Sequence, residues 1–99
     1  MILQGVGKPE GCKLIRFTAE VEDSIIKTIQ VRGDFFAIPE ESFEELESLL
    51  RGTALADLAV RFAELAETLQ LELEGISGKG LAELIEAAWK RASIEDQPE

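Results

Sequence analysis

Hydrophobic and polar residues alternate along the first part of the chain. In the stretch from Cys12 to Glu22, one parity is apolar at Ile15, Phe17, Ala19 and Val21, and the other is polar or charged at Arg16, Thr18, Glu20 and Glu22. This alternation is typical of a strand with one buried and one solvated face. Ile25 to Arg32 is rich in β-branched residues, a turn at Asp23-Ser24 precedes it, and Phe35 to Ile38 is a short apolar run. The pattern predicts a three-stranded antiparallel meander.

The second predicted strand contains one break in its alternation. Ile26 lies on one parity, whereas Ile29 and Val31 lie on the other. Because a shift of one residue turns a side chain to the opposite face, an extra residue has to be inserted between them. We therefore expect a β-bulge near Lys27 and Thr28.

The pattern changes to a helical period after Pro39. Proline followed by Glu40 and Glu41 is typical of a helix start, so we expect the first helix to begin at about Pro39 and to end before Gly52. Its predicted buried face is formed by Phe43, Leu46, Leu49 and Leu50. A nearly continuous apolar stripe from Leu55 to Leu69 predicts the second helix.

A third helix is predicted from Gly78 to about Ala92, with Ser77 as its N-cap. Residues 71–76 break the helical period and are expected to form a briefly extended connection. Trp89 lies beside the apolar stripe of the third helix, and we expect it to pack partly in the core. A tryptophan that anchors a partner protein is the alternative.

The ends of the chain lack these periodic patterns. Residues 1–11 contain three glycines and a proline and are expected to form an extended leader, and residues 93–99 are polar and expected to fray. We predict a single domain over residues 1–99, with residues 12–92 forming its folded part. The fold class is α+β, in which a three-stranded antiparallel meander packs against three helices.

The charge of the chain is acidic and unevenly distributed. The sequence has 20 acidic and 10 basic residues, which argues against a nucleic-acid partner because such proteins neutralise phosphates. Residues 1–33 hold five basic and four acidic residues, a net of +1, whereas residues 34–99 hold five and sixteen, a net of −11. We expect these acids to form a solvated helix surface; attraction to a basic partner is the alternative.

Residue counts exclude several kinds of chemistry. The chain has one cysteine, Cys12, and no histidine, which excludes an internal disulfide, a multi-cysteine zinc site and a histidine triad. No apolar run approaches the roughly 20 residues of a membrane span, and the first residues lack the basic region of a signal peptide. We expect no metal site, no membrane partner and a cytoplasmic location.

Several short motifs, taken in order, carry a family resemblance. These are Gly11-x-Lys13-Leu14-Ile15, Gly33-Asp34-Phe35-Phe36, Pro39-Glu40-Glu41, Leu50-x-Gly52 and Gly75-Ile76-Ser77. Together they resemble the carboxy-terminal accessory domain of lipoate-protein ligases, over about residues 8–92. The resemblance implies a fold similar to the SufE/IscU-like scaffolds of iron-sulfur-cluster assembly and sulfur transfer.

The resemblance also implies a function. The domain is fused to the catalytic domain in some organisms and is a separate small subunit in others, and this chain is similar to the separate form. Its implied partner is a catalytic lipoate-protein ligase subunit, which adenylates lipoate with ATP and passes the lipoyl group to a lysine of lipoyl-domain proteins. ATP, lipoate and Mg are expected in that partner, so we expect no catalytic residues and no cofactor in this chain.

Five residues near the end of the predicted sheet are candidates for binding the catalytic subunit: Lys13, Arg32, Gly33, Asp34 and Phe35. The alternative is that Phe35 and Phe36 are core residues and Gly33 only a turn. Two other functions stay open. One is a sulfur-acceptor or redox protein acting through Cys12, where the neighbouring Lys13 would favour the thiolate. The other is a regulatory interaction module.

Overall fold

Three antiparallel strands form the larger of two sheets. The computed structural model describes residues 1–95. Within them, β1 (Ile2–Gly7), β2 (Ile15–Glu22) and β3 (Ile25–Gly33) are ordered β1-β2-β3 in the sheet. Alternate residues of β2 are buried on one face, as the alternation predicts. The predicted fold class is confirmed: a three-stranded antiparallel meander packs against three helices.

Most of the residues predicted to form an extended leader form the strand β1. It pairs with β2 along its whole length, from Ile2 opposite Glu20 to Gly7 opposite Ile15. The prediction of an extended leader is therefore wrong for residues 2–7. Two glycines conceal the strand in the sequence because they stand where neighbouring side chains need room. A Cβ on Gly5 would lie 2.7 Å from the Phe17 ring, and one on Gly7 would meet Leu84.

The predicted bulge is present in β3. Glu20 pairs with Thr28 and Val21 pairs with Ile26, so that Lys27 is the extra residue. The insertion restores the apolar residues on both sides of it to the buried face. Ile26, Ile29 and Val31 are all buried as a result.

The short strand β4 (Phe36–Ile38) does not join the larger sheet. It pairs instead with β5 (Glu72–Glu74) in a second, two-stranded antiparallel sheet, so the predicted pairing of residues 35–38 with the second strand of the meander is wrong. The free edge of β3 is occupied differently. There the carboxylate of Glu47 accepts a hydrogen bond from the backbone N–H of Val31 at 2.6 Å.

The three helices are α1 (Glu40–Leu49), α2 (Leu58–Thr68) and α3 (Gly78–Glu95), and a 3-10 turn at Leu55–Asp57 leads into α2. The predicted start of α1 is confirmed. The N-cap role of Ser77 is also confirmed, since its Oγ accepts a hydrogen bond from the N–H of Gly80 at 3.0 Å. Of the residues predicted to form a frayed tail, 93–95 belong to α3, and 96–99 lie outside the described residues.

One core joins the larger sheet to all three helices. It includes Ile15, Ile26, Leu46, Phe62 and Ile85, which are almost completely buried. Of the residues predicted to form the buried face of α1, Leu49 is exposed, and Glu47 is buried instead. Trp89 packs half-buried against the core, as predicted. Among the described helices, none is both long enough and apolar enough to cross a bilayer.

Candidate partner-binding site

Backbone hydrogen bonds bring the candidate residues to one end of the larger sheet. The N–H of Asp34 donates to the carbonyl oxygen of Leu14 at 2.9 Å, and the N–H of Lys13 donates to that of Gly75 at 2.8 Å. These bonds connect the end of β3 and the end of β5 to the segment that leads into β2. Gly33 is required here, because a Cβ at this position would overlap the carbonyl oxygen of Leu14.

A groove of about 560 Å³ lies between the end of β3, β4 and the start of α1. We call it the β4 groove. It is lined by Val31, Arg32, Gly33, Phe35, Phe36, Ala37, Ile38, Glu40, Phe43 and Glu44. Three of the five candidate residues therefore line one concave surface, and Lys13 reaches the same surface through its side chain. Asp34 lies between two lining residues in the sequence.

The two adjacent phenylalanines have different surroundings. Phe35 is half-buried, and its ring centroid lies 5.3 Å from that of Phe43, which in turn lies 6.4 Å from that of Phe62. Phe36 is 58% exposed, as is Ile38 two residues further along β4. The expectation that both phenylalanines could be core residues holds for Phe35 and fails for Phe36.

A cation lies over the exposed ring. The Nζ atom of Lys13 is 5.8 Å from the centroid of Phe36, within the range of a cation–π interaction. The alkyl part of Lys13 packs against Gly75, where any Cβ would lie 3.0 Å from the Lys13 side chain. Lys13 is thus held beside the aromatic surface, with its ammonium group exposed next to it.

Glu47 and Arg32 form a partly buried pair beside the β4 groove. The Glu47 carboxylate is 3.2 Å from the Nη1 atom of Arg32, which also donates to the carbonyl oxygen of Val31 at 2.8 Å. Burial raises the pKa of Glu47, and the hydrogen bond from Val31 and the charge of Arg32 oppose that rise only in part. The pair fixes one nitrogen of the Arg32 guanidinium, while the side chain remains 61% exposed.

Sequence patterns did not identify Glu47 or Ile38 as parts of this site. A signal for Glu47 exists, since it lies one helical turn after Phe43 and directly after Leu46, in an otherwise apolar arc of α1. A carboxylate in such an arc suggests a buried partner. Ile38 had no such signal, because exposure on a three-residue strand depends on which strand it pairs with.

The thiol of Cys12 lies outside this surface. Cys12 is buried with 8% of its area exposed, and its Sγ is 3.6 Å from the Oγ of Ser77 at the start of α3. It packs closely on Gly80, where a Cβ would lie 2.7 Å from the sulfur. A neighbouring Lys13 was expected to favour the thiolate, but the Lys13 ammonium is directed to Phe36 instead.

The site offers aromatic surface, two cations and a concave shape, which are features suited to binding a protein surface. Among residues 1–95, no three Cys, His, Asp or Glu side chains are grouped so as to hold a metal ion.

The fold and the site thus define a small α+β domain with an exposed aromatic strand. Residues 12–86 match the family described as bacterial lipoate protein ligase C-terminus. The chain belongs to this family.

Two relatives from Thermoplasma acidophilum are similar to the chain. Lipoate-protein ligase A subunit 2 is 45% identical over 42 residues, which is 42% of this chain and 45% of that protein. The chain thus matches less than half the length of this curated relative. The second relative is a chain from the structural analysis of an archaeal lipoylation system, a bi-partite lipoate protein ligase and its E2 lipoyl domain. It has a TM-score of 0.65 and 25% identity, over 84% of this chain and 94% of that one.

Proposed function

We propose that this chain is the accessory subunit of a two-part lipoate-protein ligase. It binds a catalytic subunit and supports the ATP-dependent adenylation of lipoate, and the catalytic subunit then transfers the lipoyl group to a lysine of a lipoyl domain. The observation that carries this proposal is the family match over residues 12–86. The subunit name of the first Thermoplasma relative and the bi-partite ligase of the second support it further.

An accessory domain can assist adenylation without a catalytic side chain of its own. The reaction develops charge on phosphate and forms a mixed anhydride that water can hydrolyse. Holding the active site closed, with water excluded and reactants aligned, therefore favours product. A folded α+β domain that binds beside the site would fit this role.

The test is lipoyl-adenylate formation from ATP and lipoate by the catalytic subunit, with and without an equal amount of this chain. We expect product only, or much faster, when both proteins are present. Full activity of the catalytic subunit alone would instead favour a regulatory module. Cys12→Ser should support adenylation as well as the wild-type chain does, and loss of support in that variant would favour chemistry at the thiol.

We further propose that the β4 groove and the residues around it contact the catalytic subunit. This surface includes the five residues named from the sequence, Lys13, Arg32, Gly33, Asp34 and Phe35. The exposed Phe36 and Ile38 support the proposal, because large apolar side chains exposed side by side are typical of interaction sites. Lys13 and Arg32 would surround these apolar contacts with positive charge.

Two neighbouring alanine variants separate binding from folding in the β4 groove. Phe36→Ala removes an exposed ring, so we expect affinity for the catalytic subunit to fall by about tenfold or more with little change in stability. Phe35→Ala removes a ring that packs on Phe43, so we expect it to lower the free energy of unfolding by about 2 kcal/mol. Isothermal titration and urea denaturation measure the two effects. Unchanged affinity in Phe36→Ala would contradict the proposed contact.

A further inference from the structure

The larger sheet has one face that none of the described helices covers. The helix α1 packs against β3 and α3 packs against β1, and the side chains of β2 opposite its buried alternate residues are mostly exposed. We call this side the outer sheet face. Near the end of β3, the strand register places Val6, Arg16 and Arg32 in one row across the three strands.

This row places two arginines directly opposite each other. Like charges at directly paired positions of an antiparallel sheet are destabilising, so the pair of Arg16 and Arg32 is unfavourable for the fold. Arg32 is partly neutralised by Glu47 at 3.2 Å. For Arg16, by contrast, no carboxylate within the described part of the chain lies within 4.0 Å. Among the described residues, Arg16 therefore carries a positive charge that no ion pair balances.

The surroundings of the pair point to a protein partner with acidic groups. The chain has a net charge of −10, so a basic row on its surface runs against the overall charge. Val6 in the same row is 60% exposed and offers an apolar contact beside the guanidinium groups. Glu47 holds one nitrogen of Arg32 and so orients the rest of a mostly exposed guanidinium. Oriented guanidinium groups bind carboxylates with paired hydrogen bonds.

We infer that the outer sheet face docks on the catalytic subunit, and that Arg16 and Arg32 bind carboxylate side chains of that subunit. This inference rests on the proposed function and adds the chemistry of the partner surface. Binding there would neutralise the repulsion between the two arginines, which gives the complex an advantage over the free domain. The contact would extend the β4 groove, since Arg32 borders both surfaces.

The test compares two charge reversals of equal size on the full chain. Arg16→Glu reverses a charge in the row, and Lys27→Glu reverses an exposed charge at the bulge of β3. We expect Arg16→Glu to raise the Kd for the catalytic subunit by about tenfold or more and Lys27→Glu to change it by less than about threefold. We also expect added salt to weaken wild-type binding more than it weakens binding of Arg16→Glu.

The unfolding temperature of Arg16→Glu is a second measurement. It distinguishes a lost contact with the partner from damage to the fold. A glutamate opposite Arg32 turns a repulsive pair into an attractive one, so Arg16→Glu should unfold at a temperature no lower than the wild type does. Weaker binding with equal or greater stability supports the inference. Weaker binding explained by a lower unfolding temperature contradicts it.

The remaining outcomes separate this inference from the proposed function. If the wild-type chain binds and stimulates adenylation but Arg16→Glu binds equally well, only the inference is wrong. Equal loss of affinity in Lys27→Glu also overturns it, because net charge alone then explains the effect. An unchanged Kd with a raised KM for ATP would assign the arginines to the nucleotide and likewise overturn it. If the wild-type chain does not bind the subunit, the proposed function and the inference are both wrong.

Discussion

Glu47 is a buried carboxylate that accepts a backbone hydrogen bond at a strand edge. An edge strand exposes unpaired backbone groups that can pair with other chains. The Glu47 carboxylate accepts the N–H of Val31 on that edge and meets Arg32 at the surface. Since burial disfavours the ionised form, the same arrangement raises the pKa of Glu47. At Val31, the edge of β3 is therefore protected by a group whose charge is costly to bury.

The raised pKa of Glu47 makes a prediction about stability and pH. Between the ordinary pKa of glutamate and the raised pKa in the folded state, the folded chain holds a proton that the unfolded chain has lost. Stability due to this group is therefore complete below the ordinary value and is lost as pH rises through the raised value. Glu47→Gln cannot titrate but can still accept the N–H of Val31. We expect wild type to lose stability relative to Glu47→Gln as pH rises through this window.

Urea denaturation of both proteins over a pH series measures this difference. Glu47→Ala is the control, because it cannot titrate either and leaves the Val31 N–H without its acceptor, so it should be less stable than Glu47→Gln by about 1 to 3 kcal/mol at acid and neutral pH alike. A difference between wild type and Glu47→Gln that stays constant with pH would show that Glu47 does not titrate in this window.

At the scale of elements, the strand β1 makes the first residues of the chain part of the fold. It lies at the edge of the larger sheet, and α3 packs against it. Leu3 belongs to the core, with 3% of its area exposed, whereas its neighbour Gln4 is exposed. The strand thus contributes to the core rather than only preceding it.

Two substitutions in β1 test this role. Leu3→Ala removes a buried side chain, so we expect it to lower the free energy of unfolding by about 2 to 4 kcal/mol. Gln4→Ala on the solvated side should change that energy by less than about 0.5 kcal/mol. Denaturant unfolding at neutral pH gives both values. A small effect in both variants would mean that residues 2–7 behave as the leader that their glycines suggest.

Elements with strong local signals could be predicted from the sequence, and elements fixed by distant contacts could not. The alternation of β2, the bulge at Lys27 and the start of α1 follow from local periodicity and backbone preference. The strand β1 was hidden because Gly5 and Gly7 leave room for Phe17 and Leu84, which belong to other elements. The pairing of β4 with β5 joins segments about 35 residues apart, a separation over which local patterns carry no information.

The same distinction applies to the candidate site when the whole molecule is considered. The motif Gly33-Asp34-Phe35-Phe36 located the surface, and backbone hydrogen bonds to Leu14 and Gly75 bring Lys13 to it. The division of roles between Phe35 and Phe36 depends on α1, which supplies Phe43 beneath one ring and leaves the other exposed. Residue types could therefore be predicted, but not which side chains would be available to a partner.

A single core across both ends of the molecule predicts cooperative unfolding. Buried residues from β1, β2, β3 and all three helices form one cluster, so no described element has a separate core to retain.

Trp89 is the only tryptophan, and on α3 it lines a shallow concavity with Asp23 and Ser24 of the turn between β2 and β3. Its fluorescence therefore reports contact between α3 and the sheet, whereas far-ultraviolet circular dichroism reports the helices as a group. We expect the two signals to give the same midpoint in urea. An earlier fluorescence transition would mean that the end of α3 separates from the sheet before the rest unfolds, and the single domain would then consist of two cooperative units.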